Sequence, residues 1–107
     1  MNYFDKKIIW ITGASSGIGC ELAIQLSKHN CTLILTARRH HQLEETKLKC
    51  GNANVQIYPF DLSKLDEIDD FSSKVQSDIG EIDILINNAG VSAWSGVEEV
   101  HINLNGG

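Results

Sequence analysis

The 107-residue sequence contains one proline, one methionine and three cysteines, and aromatic residues make up 7% of it. With Pro59 as the sole proline and no Gly/Ser-rich stretch, nothing punctuates the chain as a linker would, so residues 1–107 read as one domain. Cys20, Cys31 and Cys50 are odd in number and include no Cys-x-x-Cys pair. That argues against a disulfide framework and against a zinc site, and it leaves reduced thiols in a cytoplasmic protein. The four histidines have no ligand-like spacing with these cysteines, so no metal is expected. Positive charge is scarce as well, with 9 Lys+Arg against 14 Asp+Glu and a formal net charge of −5. Such a balance argues against nucleic acid or an anionic membrane as a partner, so any bound anion must be caught by local geometry. Long hydrophobic runs are missing too. The opening Ile8-Ile9-Trp10-Ile11 is too short for a signal peptide or a membrane span. At 42% apolar and 21% charged, the composition is that of a globular chain.

What is present is alternation. Lys7 to Thr12, Thr32 to Ala37, Val55 to Phe60 and Ile82 to Asn87 are short, apolar and rich in branched residues, as strands buried on both faces are. Between them, Ile18, Leu22, Ala23 and Leu26 share one helical face. Leu65, Ile68, Val75 and Ile79 mark a longer stripe with Phe71 at its edge, and Leu43, Thr46 and Cys50 give Arg39 to Cys50 a weaker apolar side. Ser63-Lys64-Leu65-Asp66 reads as an N-cap with an acid at the third helical position. The order β-α-β-α-β-α-β, followed by a helical remnant around Val97 to Leu104, predicts parallel strands with right-handed crossovers.

Thr12-Gly13-Ala14-Ser15-Ser16-Gly17-Ile18-Gly19 leaves the first predicted strand and enters the first helix. Glycines spaced four and then two apart let the backbone turn tightly and approach a ligand closely. The helix mouth offers unpaired N–H groups and a positive dipole end, which suit a pyrophosphate, and Ser15 and Ser16 add hydroxyls beside it. A turn in which glycine only relieves crowding reads the same way. The setting, at the start of a βαβ unit, favours nucleotide binding. A P-loop is excluded because Gly19 is followed by Cys20 and Glu21, and the G-x-G-x-x-G fingerprint fails at Leu22.

Thr12-Gly13-x-x-x-Gly17-Ile18-Gly19, together with Asn87-Asn88-Ala89-Gly90 after the fourth predicted strand, resembles the short-chain dehydrogenase/reductase family. Thr36-Ala37-Arg38-Arg39 and the pair Asp61-Leu62 resemble its NADP-dependent members. The resemblance covers nearly the whole chain but only the cofactor-binding first half of that family's fold. It implies a Rossmann-type, doubly wound parallel α/β sheet of order 3-2-1-4, truncated after the fourth strand, whose outer edge would then carry unpaired backbone groups. It also implies that Gly13, Ser15, Ser16, Gly17, Ile18 and Gly19 hold the pyrophosphate and that Asp61, with Leu62, meets the adenine. Asn87, Ala89 and Gly90 would line the cofactor and steady the central strand. Asp61 reads equally as a turn residue ahead of Ser63, and an Asn-rich turn needs no ligand.

An NAD-selective site places Asp or Glu at the end of the second strand, to hold the ribose 2′-hydroxyl. Here Arg38 and Arg39 stand at that place, and the nearest acids, Glu44 and Glu45, lie well into the next helix. A 2′-phosphate would meet guanidinium donors in fork geometry, so NADP(H) is expected ahead of NAD(H). Solvated arginines at a helix start would look the same.

The resemblance implies hydride transfer between nicotinamide and a small-molecule carbonyl or alcohol, without a metal, and allows a homo-oligomer in the full-length form. In the family a Ser after the next strand and a Tyr-x-x-x-Lys on a following helix move the proton, and no Tyr-x-x-x-Lys follows Gly90 here. Tyr3 to Lys7 matches the second pattern but precedes the first strand. Asn103 fits the family's helix asparagine, which holds a water near the catalytic lysine. This chain alone is therefore expected to be inactive. The alternatives are a catalytically inactive NADP-binding module and a non-enzymatic interaction product of a truncated gene.

Overall fold

Branched apolar runs become strands where both of their faces are covered, and four of them do so here. The computed structural model describes residues 3–51, 53–88 and 99–100. β1 (Ile8–Thr12), α1 (Gly17–Leu26), β2 (Thr32–Thr36), α2 (His40–Lys49), β3 (Asn54–Ile57), a 3-10 turn at Leu65–Glu67, α3 (Ile68–Ile79) and β4 (Ile84–Asn87) follow in the predicted order. A short β5 (Glu99–Val100) completes the sheet. All strands pair in parallel, in the order β3-β2-β1-β4-β5. The order 3-2-1-4 is thus the one the sequence implies.

β5 corrects two expectations. The sequence predicts a helix around Val97 to Leu104, yet the described residues of that stretch form a strand, with Leu85 paired to Glu99 and Ile86 to Val100. The outer edge of β4 is accordingly paired at these positions. Two residues have no helical or extended preference worth the name. Register against a strand already in place decides their conformation.

Side chains alternate across the sheet, and the alternation sorts the core into two layers. Ile9, Ile11, Leu33, Leu35, Ile84 and Ile86 face α1 and α2, where they meet Ala23, Leu26, Leu43 and Cys50. Trp10, Ile34 and Leu85 face the other way, against Ile68 and Val75 of α3. Full burial of each such side chain contributes about 1.5–3 kcal/mol. Trp10 is completely buried, and its indole N–H donates to Thr36 Oγ1 at 2.8 Å, which satisfies the one polar atom that burial would otherwise penalise. Phe71 stacks on Phe60 with ring centroids 4.2 Å apart and meets Trp10 at 5.9 Å.

Two side chains depart from the predicted stripes and one from its predicted cap. Ile18 is 44% exposed at the mouth of α1, and Leu65 is 60% exposed because its residue lies in the 3-10 turn, off the period of α3. Ser63 does not cap a helix: its hydroxyl and its N–H both donate to Asp61 Oδ1 instead. Among the described residues, no helix is long and apolar enough to cross a membrane.

Candidate functional site

The chain leaves β1 for β2 on one side, while β4 pairs with β1 on the other, so the reversal of strand order falls between β1 and β4 at their carboxyl ends. That is where open α/β sheets take ligands. The glycine-bearing turn occupies this place. Gly13 (φ 66°) and Gly17 (φ 56°) have the left-handed backbone that a side chain would strain. Gly19 is a glycine for a different reason. A Cβ there would lie 2.0 Å from the Gly13 carbonyl oxygen and 2.9 Å from Asn88 Nδ2.

The amides at the start of α1 have no acceptors within the helix, and the first turn contains no acid. Ser16, at the N-cap, makes no side-chain capping bond, so its hydroxyl is not tied to the helix. Ser15 is half-buried and Ser16 exposed at the same mouth. Ser15, Ser16, Gly17, Ile18 and Gly19 therefore lie together at the start of α1.

The turn is anchored by residues distant in sequence. Asn88 Nδ2 donates to the Gly13 carbonyl at 3.2 Å, and the Ala14 N–H donates to the Thr36 carbonyl at 3.2 Å. Thr12 and Asn87 face each other across β1 and β4, with the Thr12 hydroxyl donating to Asn87 Oδ1 at 3.2 Å. Asn87 is 2% exposed, so its side chain belongs to the interior of the strand pair. Sequence reasoning assigns no role to Asn88, because that role depends on a neighbour 75 residues away.

β2 and β3 continue side by side past their strand ends, the Tyr58 N–H donating to the Leu35 carbonyl and the Phe60 N–H to the Ala37 carbonyl, both at 2.9 Å. This brings Asp61 within reach of the Arg38 charge. Asp61 is held below the usual carboxylate range, chiefly by the Ser63 hydroxyl, then by the Ser63 N–H, with smaller help from the Arg38 and Lys64 charges. Arg38 and Arg39 are both exposed, Arg39 at the N-cap of α2, and the first turn of α2 has no acid. Leu62 packs its side chain against the Trp10 side of the core. Ala89, Gly90 and Asn103 lie outside the described residues.

Because Asp61 is depressed, its ionised form favours the folded chain above the ordinary carboxylate range, and that preference is lost as pH falls through the folded value. Ser63→Ala removes the largest cause. The Asp61 titration, followed by carboxyl-carbon NMR, is expected to move upward toward the ordinary range, and the part of the acid-linked loss of stability that Asp61 contributes to shrink. An unmoved midpoint would show that the hydroxyl is not the cause.

Burial raises the Cys31 thiol, and it raises Cys50 too, against a hydrogen bond from Ser27 and with a further push from Cys20. All three cysteines are free. The Tyr3–Lys7 pair sits just before β1, at the end of the sheet away from the turn, with the ammonium 5.5 Å from the ring centroid.

Comparison with known proteins agrees with this geometry. The family model described as short chain dehydrogenase matches residues 7–104. The human protein "Dehydrogenase/reductase SDR family member 7" is 45% identical over 94 residues, covering 82% of this chain and 28% of its own length. A solved structure of an actinorhodin polyketide ketoreductase variant with NADPH superposes with a TM-score of 0.71 at 30% identity, over 85% of this chain and 36% of that one. A short chain dehydrogenase from Bacillus anthracis gives 0.69 at 32% identity, over 79% and 35%. The chain thus spans well under half the length of the relatives it matches. With the turn, the sheet order and a match over residues 7–104 in agreement, the chain belongs to the short-chain dehydrogenase family.

Proposed function

We propose that these residues bind NADP(H), as the cofactor-holding part of an oxidoreductase that moves hydride between nicotinamide and a small carbonyl or alcohol. The observation that carries the reading is the end of β2, where two exposed guanidiniums stand at the place of an NAD-selecting carboxylate and Arg38 acts on Asp61. The ketoreductase structure with NADPH supports it at the level of the family.

The cofactor, when bound, supplies the hydride; the residues of this chain hold and orient it. Amides from Ser15 to Gly19, with the Ser15 and Ser16 hydroxyls, receive the diphosphate at the positive end of α1. Gly13 and Gly19 keep that opening narrow without side chains. Arg38, with Arg39, takes the 2′-phosphate through charge-assisted hydrogen bonds. Asp61, depressed and therefore ionised at neutral pH, is an acceptor suited to the adenine amino group. By the family resemblance Asn87, Ala89 and Gly90 would line the ribose and nicotinamide, and Asn103 would serve in proton handling. The free thiols fit a cytoplasmic setting.

NADPH fluorescence tests the reading. Emission is expected to rise and saturate as the 107-residue chain is added. NADH should require roughly tenfold more protein or beyond, the size of one or two hydrogen bonds to a charged group. No NADPH consumption by these 107 residues is expected with carbonyl acceptors, since no Tyr-x-x-x-Lys follows Gly90. Unchanged emission at millimolar NADPH would leave only the reading of a non-enzymatic interaction product.

A further inference from the structure

α2 reaches the glycine turn through one polar side chain. Thr46 is 1% exposed, on the face that otherwise buries Leu43 and Cys50. Its hydroxyl lies 3.1 Å from the Ala14 carbonyl oxygen, 3.3 Å from the Gln42 carbonyl oxygen and 3.4 Å from Cys20 Sγ. A hydroxyl has one proton to give. The Ala14 carbonyl is the nearest acceptor, and the Cys20 thiol can in turn donate to Oγ1.

The consequence follows from the planarity of the peptide. In a trans unit the carbonyl and the following N–H point in opposite directions. Asn88 draws the Gly13 carbonyl one way, and the Ala14 N–H accordingly turns to the Thr36 carbonyl. In the next unit Thr46 draws the Ala14 carbonyl toward α2, so the Ser15 N–H is turned away from α2. Among the described residues, that N–H has no acceptor. Valine would fill the same volume at position 46, so packing alone does not account for the hydroxyl.

We propose that Thr46 is a positioning residue for the diphosphate, fixing the Ser15 N–H as a donor by holding the Ala14 carbonyl. The inference rests on the cofactor reading above. It also makes α2 a common support for the diphosphate and the 2′-phosphate, since Arg39 stands at the N-cap of the same helix that anchors the turn.

The test compares wild type, Thr46→Val and Thr46→Ser, each titrated with NADPH and with 2′-AMP, which carries the 2′-phosphate and adenine but no diphosphate. Thr46→Val is expected to weaken NADPH by about five- to tenfold, the worth of one oriented hydrogen bond, while 2′-AMP is unchanged. Thr46→Ser is expected to restore NADPH binding. A purely structural role would weaken both ligands by the same factor. Equal weakening, no weakening, or failure of serine to rescue each overturns the inference. Backbone NMR of the wild type decides it even if the valine variant does not fold: NADPH should shift the Ser15 amide strongly and leave the Ala14 amide nearly in place, and the reverse overturns it. A wild type that binds neither ligand removes the cofactor reading itself and this inference with it. Three proteins that bind both ligands alike remove Thr46 alone.

Discussion

Gly19→Ala is expected to lower NADPH affinity by a factor of about 100 or more, the loss of two charge-assisted hydrogen bonds, and to destabilise the chain as well. The added Cβ would lie 2.0 Å from the Gly13 carbonyl oxygen and 2.8 Å from its carbon. Both atoms are backbone, and neither can yield easily. Gly13 is tied to Asn88, and the adjoining Ala14 N–H is tied to Thr36 on β2. Relief requires the turn to move by roughly 1 Å or more, the step from so close an approach to ordinary van der Waals separation. Alanine gains about 1 kcal/mol of helix propensity over glycine, while overpacking of a fixed site costs about 1–3 kcal/mol or more. Strain wins, and a net loss near 2 kcal/mol lowers the melting temperature by about 10 °C in a domain of this size. Gly17→Ala is the control. It meets nothing within 4 Å, so its cost is the positive φ alone, about 1–2 kcal/mol. Fluorescence titration and thermal melts of the two variants separate crowding from strain. If Gly19→Ala bound NADPH within a few-fold of wild type, the close approach of α1 to Gly13 would not be what shapes the mouth.

The contrast between these glycines shows what a sequence discloses and what it withholds. Three glycines between a strand and a helix are legible as a ligand-approaching turn, because the backbone requirement is local. The reason for the third is not, since it depends on Gly13 and Asn88 meeting Gly19 in space. The four long strands are legible because burial on both faces demands unbroken apolar runs such as Ile8 to Ile11. β5 is not, because two residues take their conformation from Leu85 and Ile86. Arg38 can be placed at the end of β2 by counting. Its proximity to Asp61 requires β2 and β3 to run together as far as Phe60. Ser63 has the composition of a helix cap, and it bonds Asp61 instead because the turn at Asp61 closes first in the chain. Thr46 reads as one member of a weak apolar stripe, and the partner of its hydroxyl lies 32 residues away. In each case local chemistry is readable, and the partner supplied by another element is not.

Arg38→Asp is expected to reverse the cofactor preference, with NADPH weakened by about 50- to 100-fold and NADH changed by no more than a few-fold. The guanidinium would make two charge-assisted bonds to the 2′-phosphate, worth about 1.5–3 kcal/mol each before solvent is considered. Arg38 is exposed, and screening over a Debye length of about 8 Å at physiological salt trims that sum, which is why the lower part of the range is expected. The new carboxylate adds repulsion toward the phosphate. It also stands where a 2′-hydroxyl donor can be accepted, so NADH loses nothing and gains a partner. Arg39 remains at the N-cap of α2 and retains part of the NADPH affinity, so the double variant with Arg39→Ala should widen the gap. Asp61 reports the same change independently. Losing the Arg38 charge and acquiring a negative neighbour both raise its titration midpoint, so an upward shift read by NMR must accompany the switch. Raising the salt concentration should narrow the wild-type preference for NADPH and, by screening the new repulsion, the variant's preference for NADH as well. Equal losses for NADPH and NADH, with Asp61 unmoved, would mean that Arg38 is a solvated charge at a helix start and selects nothing.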